Sequence, residues 1–178
     1  NGLKPTVKVG KEFSYLQKFE LEKRTITSVT LTVDTSQKKF LEDFYLYGDF
    51  DTPATERTAI VFCGYGIDHP NYSDYKKTDG SLLNEVRGKT VIIFTGEPTK
   101  DSISYLTNTK EQTDWANDWR KKASYAKELG AKSVIVIVGK SDKDFYDRLG
   151  QLKPHLGQPS LSFTHKVRSG SALFVPLA

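Results

Sequence analysis

The chain has 178 residues, a formal net charge of +4, 27% charged and 12% aromatic side chains, one cysteine and no methionine. That length suits one ordinary domain, or one domain with an extension, and the lack of a low-complexity tract argues against extensive disorder. Lysines and arginines alternate with acids rather than forming a basic stripe, and no apolar run approaches the ~20 residues of a spanning helix, so neither nucleic-acid binding nor membrane insertion is expected.

Residues 1–10 form a lead-in in which Lys4-Pro5 favours extended geometry. Over 13–21, Phe13, Tyr15, Phe19 and Leu21 fall on one face, predicting a half-buried strand, and 26–33 repeats the pattern with Val29, Leu31 and Val33. These two are predicted to be paired or sequential. Residues 34–39 are polar and turn-like, and Phe44 to Tyr47 reads as another strand, closed by Gly48, Asp49 and Pro53. Ala59-Ile60-Val61-Phe62-Cys63 reads as a buried strand, with Cys63 an inert core thiol that has no partner for an internal disulfide. It runs into Gly64-Tyr65-Gly66, whose glycines allow either tight backbone geometry or close approach to a neighbour.

A loop follows over 68–75, and a short helix is predicted over 81–87, stopped by Gly88. The centre of the chain is clearer. Val91-Ile92-Ile93-Phe94 and Val134 to Val138 have no polar residue to face water, so both are expected as interior strands. Between them a helix is predicted over 111–129, with Trp115, Trp119, Ala123, Ala126 and Leu129 inward, Asp118, Arg120, Lys121, Lys122 and Lys127 outward, and Gly130 at its C-cap. A strand, a crossover helix and a second buried strand predict a parallel pair, and hence an α/β core in a β-rich chain. Beyond it, Ser141 is expected to cap a helix through Leu152 with Phe145 and Leu149 inward, 159–163 to form a strand, and 166–174 a last helix.

Catalytic signatures are missing. His69, His155 and His165 lack His-x-Glu, His-x-Asp or His-Glu-x-x-His context, no Gly-x-Ser-x-Gly elbow occurs, and Gly64-Tyr65-Gly66 lacks the third glycine and following helix of a phosphate loop. Neither a catalytic residue, nor a metal site, nor a cofactor is therefore expected in this chain. Asp68, Asn71, Asp74 and Asp79 could supply oxygens to calcium, but their spacing is not that of a twelve-residue calcium loop and also suits solvated turns. Tyr65, Tyr72 and Tyr75 crowd the same loop, and with Asp74 they are the candidate contacts for a substrate or partner; the same tyrosines could equally pack the loop onto its own strand. A chain without methionine also reads as a mature product or an excised piece.

Phe62-Cys63-Gly64-Tyr65-Gly66-Ile67, then Tyr72-Ser73-Asp74-Tyr75, then Arg87-Gly88-Lys89-Thr90-Val91-Ile92-Ile93, resemble a protease-associated domain. Lys121-Lys122-Ala123 leading into Gly130-Ala131-Lys132-Ser133-Val134-Ile135-Val136 continues the resemblance, which covers Tyr45 to Phe174. The Gly-Tyr-Gly-Ile and Tyr-x-Asp-Tyr version is similar to the insert of secreted zinc aminopeptidases related to glutamate carboxypeptidase and the transferrin receptor. Gly2-Leu3-Lys4-Pro5 and Tyr15-Leu16-Gln17-Lys18-Phe19-Glu20-Leu21 resemble the start of those peptidases, with Leu16 where Phe is usual and Glu20 where Pro is often found.

The resemblance implies a swivelling β/β/α fold over 37–178, preceded at 1–36 by a β segment of the parent peptidase. It implies a non-catalytic accessory domain that modulates substrate access or protein contacts in an exported enzyme, periplasmic or extracellular. The catalytic domain of the same polypeptide would be its partner, and peptide substrate a possible one. Zinc would belong to that catalytic domain, because the family's ligands all lie after the insert. The alternatives are a free-standing peptide- or sugar-binding module, or a hydrolase in its own right.

Overall fold

The apolar runs at 91–94 and 134–137 lie side by side as parallel strands, Val91 opposite Val134 and Ile93 opposite Val136. The architecture around them is that of a computed structural model describing residues 4, 7–16, 19–48, 58–83, 85–163 and 171–177. In chain order its elements are β1 (Val7–Val9), β2 (Glu12–Ser14), β3 (Leu21–Arg24), β4 (Leu31–Val33), β5 (Ser36–Lys38), β6 (Tyr45–Tyr47), β7 (Ile60–Phe62), β8 (Asp68–His69) and β9 (Tyr72–Ser73). There follow β10 (Thr90–Phe94), β11 (Thr99–Lys100), β12 (Ile103–Ser104), α1 (Asp114–Asn117), α2 (Trp119–Glu128), β13 (Ser133–Ile137), α3 (Asp142–Leu152), β14 (Ser160–Phe163) and β15 (Ala172–Val175).

Among the described residues the main sheet has five strands in the order β6-β15-β13-β10-β7. Strands β7, β10, β13 and β15 run parallel, and β6 closes one edge antiparallel to β15. The fold is therefore mixed α/β and β-rich. Alternation along the strands sorts the side chains into two faces. Val91, Ile93, Val134, Val136, Ala172 and Phe174 are buried in one core with Ala123 and Ala126 of α2 and Phe145 and Leu149 of α3, so both helices cover the same face. The other set, including Ile92, Phe94, Ile135 and Ile137, is only half-buried, and on edge strand β7 Ile60 is 63% and Phe62 52% exposed.

Several expectations hold. Strands β6, β10, β13 and β14 form as predicted, and α3 follows Ser141, whose backbone N–H and hydroxyl both donate to Asp144 Oδ2 at 3.0 and 3.1 Å. Others need correction. Within the stretch 59–63, β7 is an edge strand with Ile60 and Phe62 exposed rather than a buried strand, because only β10 flanks it in the sheet; Cys63 beyond it is buried as expected. No helix forms among the described residues of 81–87; Leu82 bridges back to Lys76 instead. The end of the predicted last helix, 172–175, is strand β15, since its alternating apolar residues complete the sheet between β13 and β6; residues 166–170 lie outside the described set.

At the N-terminal end, 13–21 is not one strand. Strand β2 ends at Ser14, β3 begins at Leu21, and Phe13, Tyr15 and Phe19 are all more than 60% exposed. Nor do the two predicted strands pair: β3 is antiparallel to β14, while β4 turns at Asp34 into β5. The β3–β14 ladder joins residues on either side of position 36.

The predicted helix over 111–129 is broken at Asp118, whose non-helical backbone ends α1 and whose Oδ1 accepts from the N–H groups of Arg120 and Lys121 at 2.9 and 3.2 Å. A short acceptor side chain that caps the next turn competes with continuing the helix. Trp115 and Trp119 thereby enter different surroundings. Trp115 is 7% exposed beside Ile67 and Leu106, whereas Trp119 is half-buried, its ring edge-on to Tyr47 and Phe174. Trp119 is thus not the core anchor that its phase suggests, and Trp119→Ala is expected to cost about 2 kcal/mol, below the ~3–5 typical of a fully buried Trp. Urea denaturation of Trp119→Ala and Trp115→Ala should show the second to be the more damaging.

Candidate functional site

The 64–75 loop is built around one carboxylate. Gly64 and Gly66 both have positive φ, +48° and +67°, and a Cβ on Gly66 would lie 2.7 Å from Ile93 Cγ2. Both features anticipated from the sequence, tight geometry and close approach, are present. The turn so formed points the backbone N–H groups of Tyr65 and Ile67 at Asp74 Oδ2, at 3.1 and 3.0 Å, while the Tyr72 hydroxyl donates to Asp74 Oδ1 at 2.6 Å. Burial raises the Asp74 pKa above the usual carboxylate range, outweighing these three hydrogen bonds, and burial together with Asp74 drives the Tyr72 phenol strongly upward.

The four candidate contacts are brought together but are not alike. Tyr65, Tyr72 and Asp74 are half-buried, within reach of a neighbour. Tyr75 is 1% exposed and packs in the main core against Tyr125, so in this chain it is a core residue rather than a surface contact. Its side chain points inward because Ser73 Oγ accepts from the N–H groups of Tyr75 and Lys76, turning the chain after β9. The remaining loop polar groups also hold the loop down. Asp68 Oδ2 takes Lys76 Nζ at 2.5 Å and the hydroxyl of Tyr125 on α2, and Asn71 Nδ2 donates to the Leu106 carbonyl at 2.7 Å.

The acids considered for calcium are engaged separately: Asp79 accepts from its neighbour Ser81, Asp68 from Lys76 and Tyr125, Asp74 from its own loop. Among the described residues no group of three His, Cys, Asp or Glu side chains is placed to hold a metal ion. His69 and His155 belong to no such group, and His165 lies outside the described set. Cys63 is 2% exposed, and burial, with Asp74 nearby, raises its thiol to about 11, as expected of an inert core cysteine.

Two residues with functional chemistry escaped the sequence. Lys122, expected on the outer face of the central helix, is 1% exposed. It lies three residues after Trp119 and four before Ala126, squarely on the inward stripe, so helical phase could have found it had its charge not argued otherwise. Its ammonium donates to the carbonyls of Phe94, at 3.1 Å, and Gly96, where β10 ends, and sits 5.7 Å from the Tyr65 ring centroid. Glu97 is 4% exposed and had no sequence signal at all. Its Oε2 accepts from the Thr113 N–H at 3.1 Å and hydroxyl at 2.6 Å, fixing the start of α1.

These groups border two clefts at the carboxyl ends of the parallel strands, where open α/β sheets form crevices. One, of about 410 Å³, lies against α2 and α3 and is walled by Trp119, Arg120, Lys122, Asp144 and Arg148. The other, of about 240 Å³, lies beside Tyr65, Phe94, Glu97 and Gln112.

Burial lowers the Lys122 pKa from 10.5 to about 8, against the opposing pull of Asp74 and Glu97. Between those two values the unfolded chain holds the proton and the folded chain has released it, so raising the pH favours folding there. Chemical denaturation across pH 7 to 11 should show the unfolding free energy of the native chain, minus that of Lys122→Met, rising through about 8 and levelling near 10.5. A flat difference would show that the ammonium is fully compensated by its carbonyl acceptors.

The sequence matches no protein-family model and no curated protein.

Proposed function

We propose that the chain is a non-catalytic accessory domain of the protease-associated kind, carried with the opening strands of a peptidase by an exported zinc aminopeptidase. The observation that carries this reading is apolar surface suited to cover by further protein. On the sheet face away from the helices Ile60 is 63% and Phe62 52% exposed, and on the N-terminal strands Phe13 is 62% and Leu21 49% exposed. Exposed apolar side chains on an edge strand and on these strands offer surface that further protein could cover.

The motif residues behind the resemblance support it further. Gly64 lies against Asp74 and Gly66 against Ile93, and Asp74 accepts from the N–H groups of Tyr65 and Ile67, so the Gly-Tyr-Gly and Tyr-x-Asp-Tyr signatures act as one folding unit. In the intact protein Tyr65 and Tyr72 on this loop would face the catalytic domain's cleft and help decide which peptides enter. Large rings with few rotatable bonds give contact area at small entropic cost.

The pure chain is expected to release no amino acid from aminoacyl-nitroanilides, with or without added zinc, above a buffer blank; zinc-dependent release would overturn the proposal. The coding sequence on the C-terminal side should encode a zinc peptidase domain, and a stop or an unrelated domain there would leave a free-standing binding module as the better reading. In the intact enzyme, Tyr72→Ala should lower kcat/KM with little change in melting temperature.

A further inference from the structure

Glu97, which lines the smaller cleft, carries an unanswered hydrogen-bond acceptor just behind the cleft wall. Glu97 Oε2 is occupied by Thr113, but Oε1 is buried and has no hydrogen-bond partner among the described residues. A buried polar atom without a partner costs free energy, and a carboxylate oxygen costs more than a neutral one. The neighbouring Lys122 does not answer it: two of its three N–H donors go to the Phe94 and Gly96 carbonyls, and the third does not reach Oε1. The carboxylate forms part of the wall of a cleft of about 240 Å³, with the rings of Tyr65 and Phe94 beside it and exposed Lys140 at its edge.

We infer that this cleft receives a primary ammonium group of a peptide, which donates to Glu97 Oε1. The proposal deepens the accessory-domain reading, on which the choice of a peptide rests. A charged donor recovers most from a buried carboxylate, since charge-assisted hydrogen bonds are about twice as strong as neutral ones. The faces of Tyr65 and Phe94 suit the same cation and the apolar side chain that follows it, because aromatic rings attract both. Lys140 meets acceptors farther along the ligand, namely backbone carbonyls. Oε1 is closed off from water in the free chain, so the ligand reaches it by a side-chain shift in the cleft wall, a common change at interfaces.

The test is a titration of the complete 178-residue chain, followed by amide chemical shifts of Gly96, Glu97 and Thr99. Three probes serve: Phe-Ala-Ala-amide, its N-acetyl form, and N-acetyl-Lys-Ala-amide. The free tripeptide should shift these amides, and acetylation should weaken its binding at least about tenfold. Binding of the acetylated lysine peptide as tight as that of the free tripeptide would assign the ammonium to a lysine side chain; weaker binding would assign it to the N-terminus. Glu97→Gln keeps an acceptor for Thr113 and removes an unpartnered buried charge, so it should lower affinity by a similar factor at a melting temperature no lower than that of the native chain.

Equal binding of the free and acetylated tripeptides, or full affinity in a folded Glu97→Gln chain, would overturn the proposal. So would the absence of any shift with all three probes. The acetylation comparison uses only the native chain, so it decides the matter even if the variant fails to fold. Loss of the cleft proposal leaves the accessory-domain reading standing, because the peptidase assay and the downstream coding sequence test that reading separately.

Discussion

Asp74→Ala is expected to lower the stability of the chain by about 3–5 kcal/mol. Two part-buried backbone N–H groups, those of Tyr65 and Ile67, lose the carboxylate that accepts from both, and each unsatisfied buried donor costs about 1–3 kcal/mol. The Tyr72 hydroxyl loses its partner as well, at a smaller cost because that side chain is half-exposed and can turn to water. Asp74→Asn, which keeps an acceptor oxygen for the turn, should recover a large part of the loss. Urea denaturation of both variants checks this, and equal midpoints for native chain and Asp74→Ala would show that the loop closes without its carboxylate. A consequence follows for function: Asp74 replacement mixes structural with contact effects, so Tyr72→Ala is the cleaner probe of the loop as a working surface.

The second large effect is expected at Phe174, on strand β15. Phe174 is 4% exposed, its ring stacked on Tyr45 at 4.7 Å with an interplanar angle of 3° and met edge-on by Trp119 at 5.1 Å. Tyr45 is in turn stacked on Phe145 of α3 at 5.6 Å, so Phe174 couples the strand edge to both helices. Phe174→Ala should cost about 3–5 kcal/mol, the range for truncating a buried large aromatic, and lower Tm by roughly 10 °C in a chain of this size. Phe174→Leu, which keeps most of the buried volume, should cost less than half as much. Thermal unfolding of the two variants distinguishes a packing role from a general weakness of the strand, since both would be equally damaging only if strand propensity were at issue.

The sequence stated its strongest features through period and cap. Val91 to Phe94 and Val134 to Ile137 are apolar at every position, and they occupy interior places in the sheet, with one face of each strand buried under the helices and the other half-buried. Ser141 marked the start of α3 to the residue, and the structure adds Asp144 as the other half of its capping box. Gly64 and Gly66 announced backbone that only glycine adopts easily, and both lie at positive φ. In each case the determining interactions are local, within a turn or a few residues, and residue type alone reports them.

Tertiary structure decided the rest, because the competing local options differed by little. At Asp118 the choice between continuing a helix and capping a new one was settled by which burial each tryptophan could find, Trp115 with Ile67 and Leu106 and Trp119 with Phe174. Residues 172–175 alternate over too short a span to specify strand over helix, and the open edge of β13 selected the strand. Lys122 is inside because the carbonyls of Phe94 and Gly96 meet its ammonium from a segment twenty-six and more residues away, a compensation that no local pattern carries. Tyr75 left the candidate surface for the core, and Glu97 entered the candidate site, for the same reason. Burial of a polar or aromatic side chain depends on partners distant in sequence, and only the assembled sheet, helices and loops supply them.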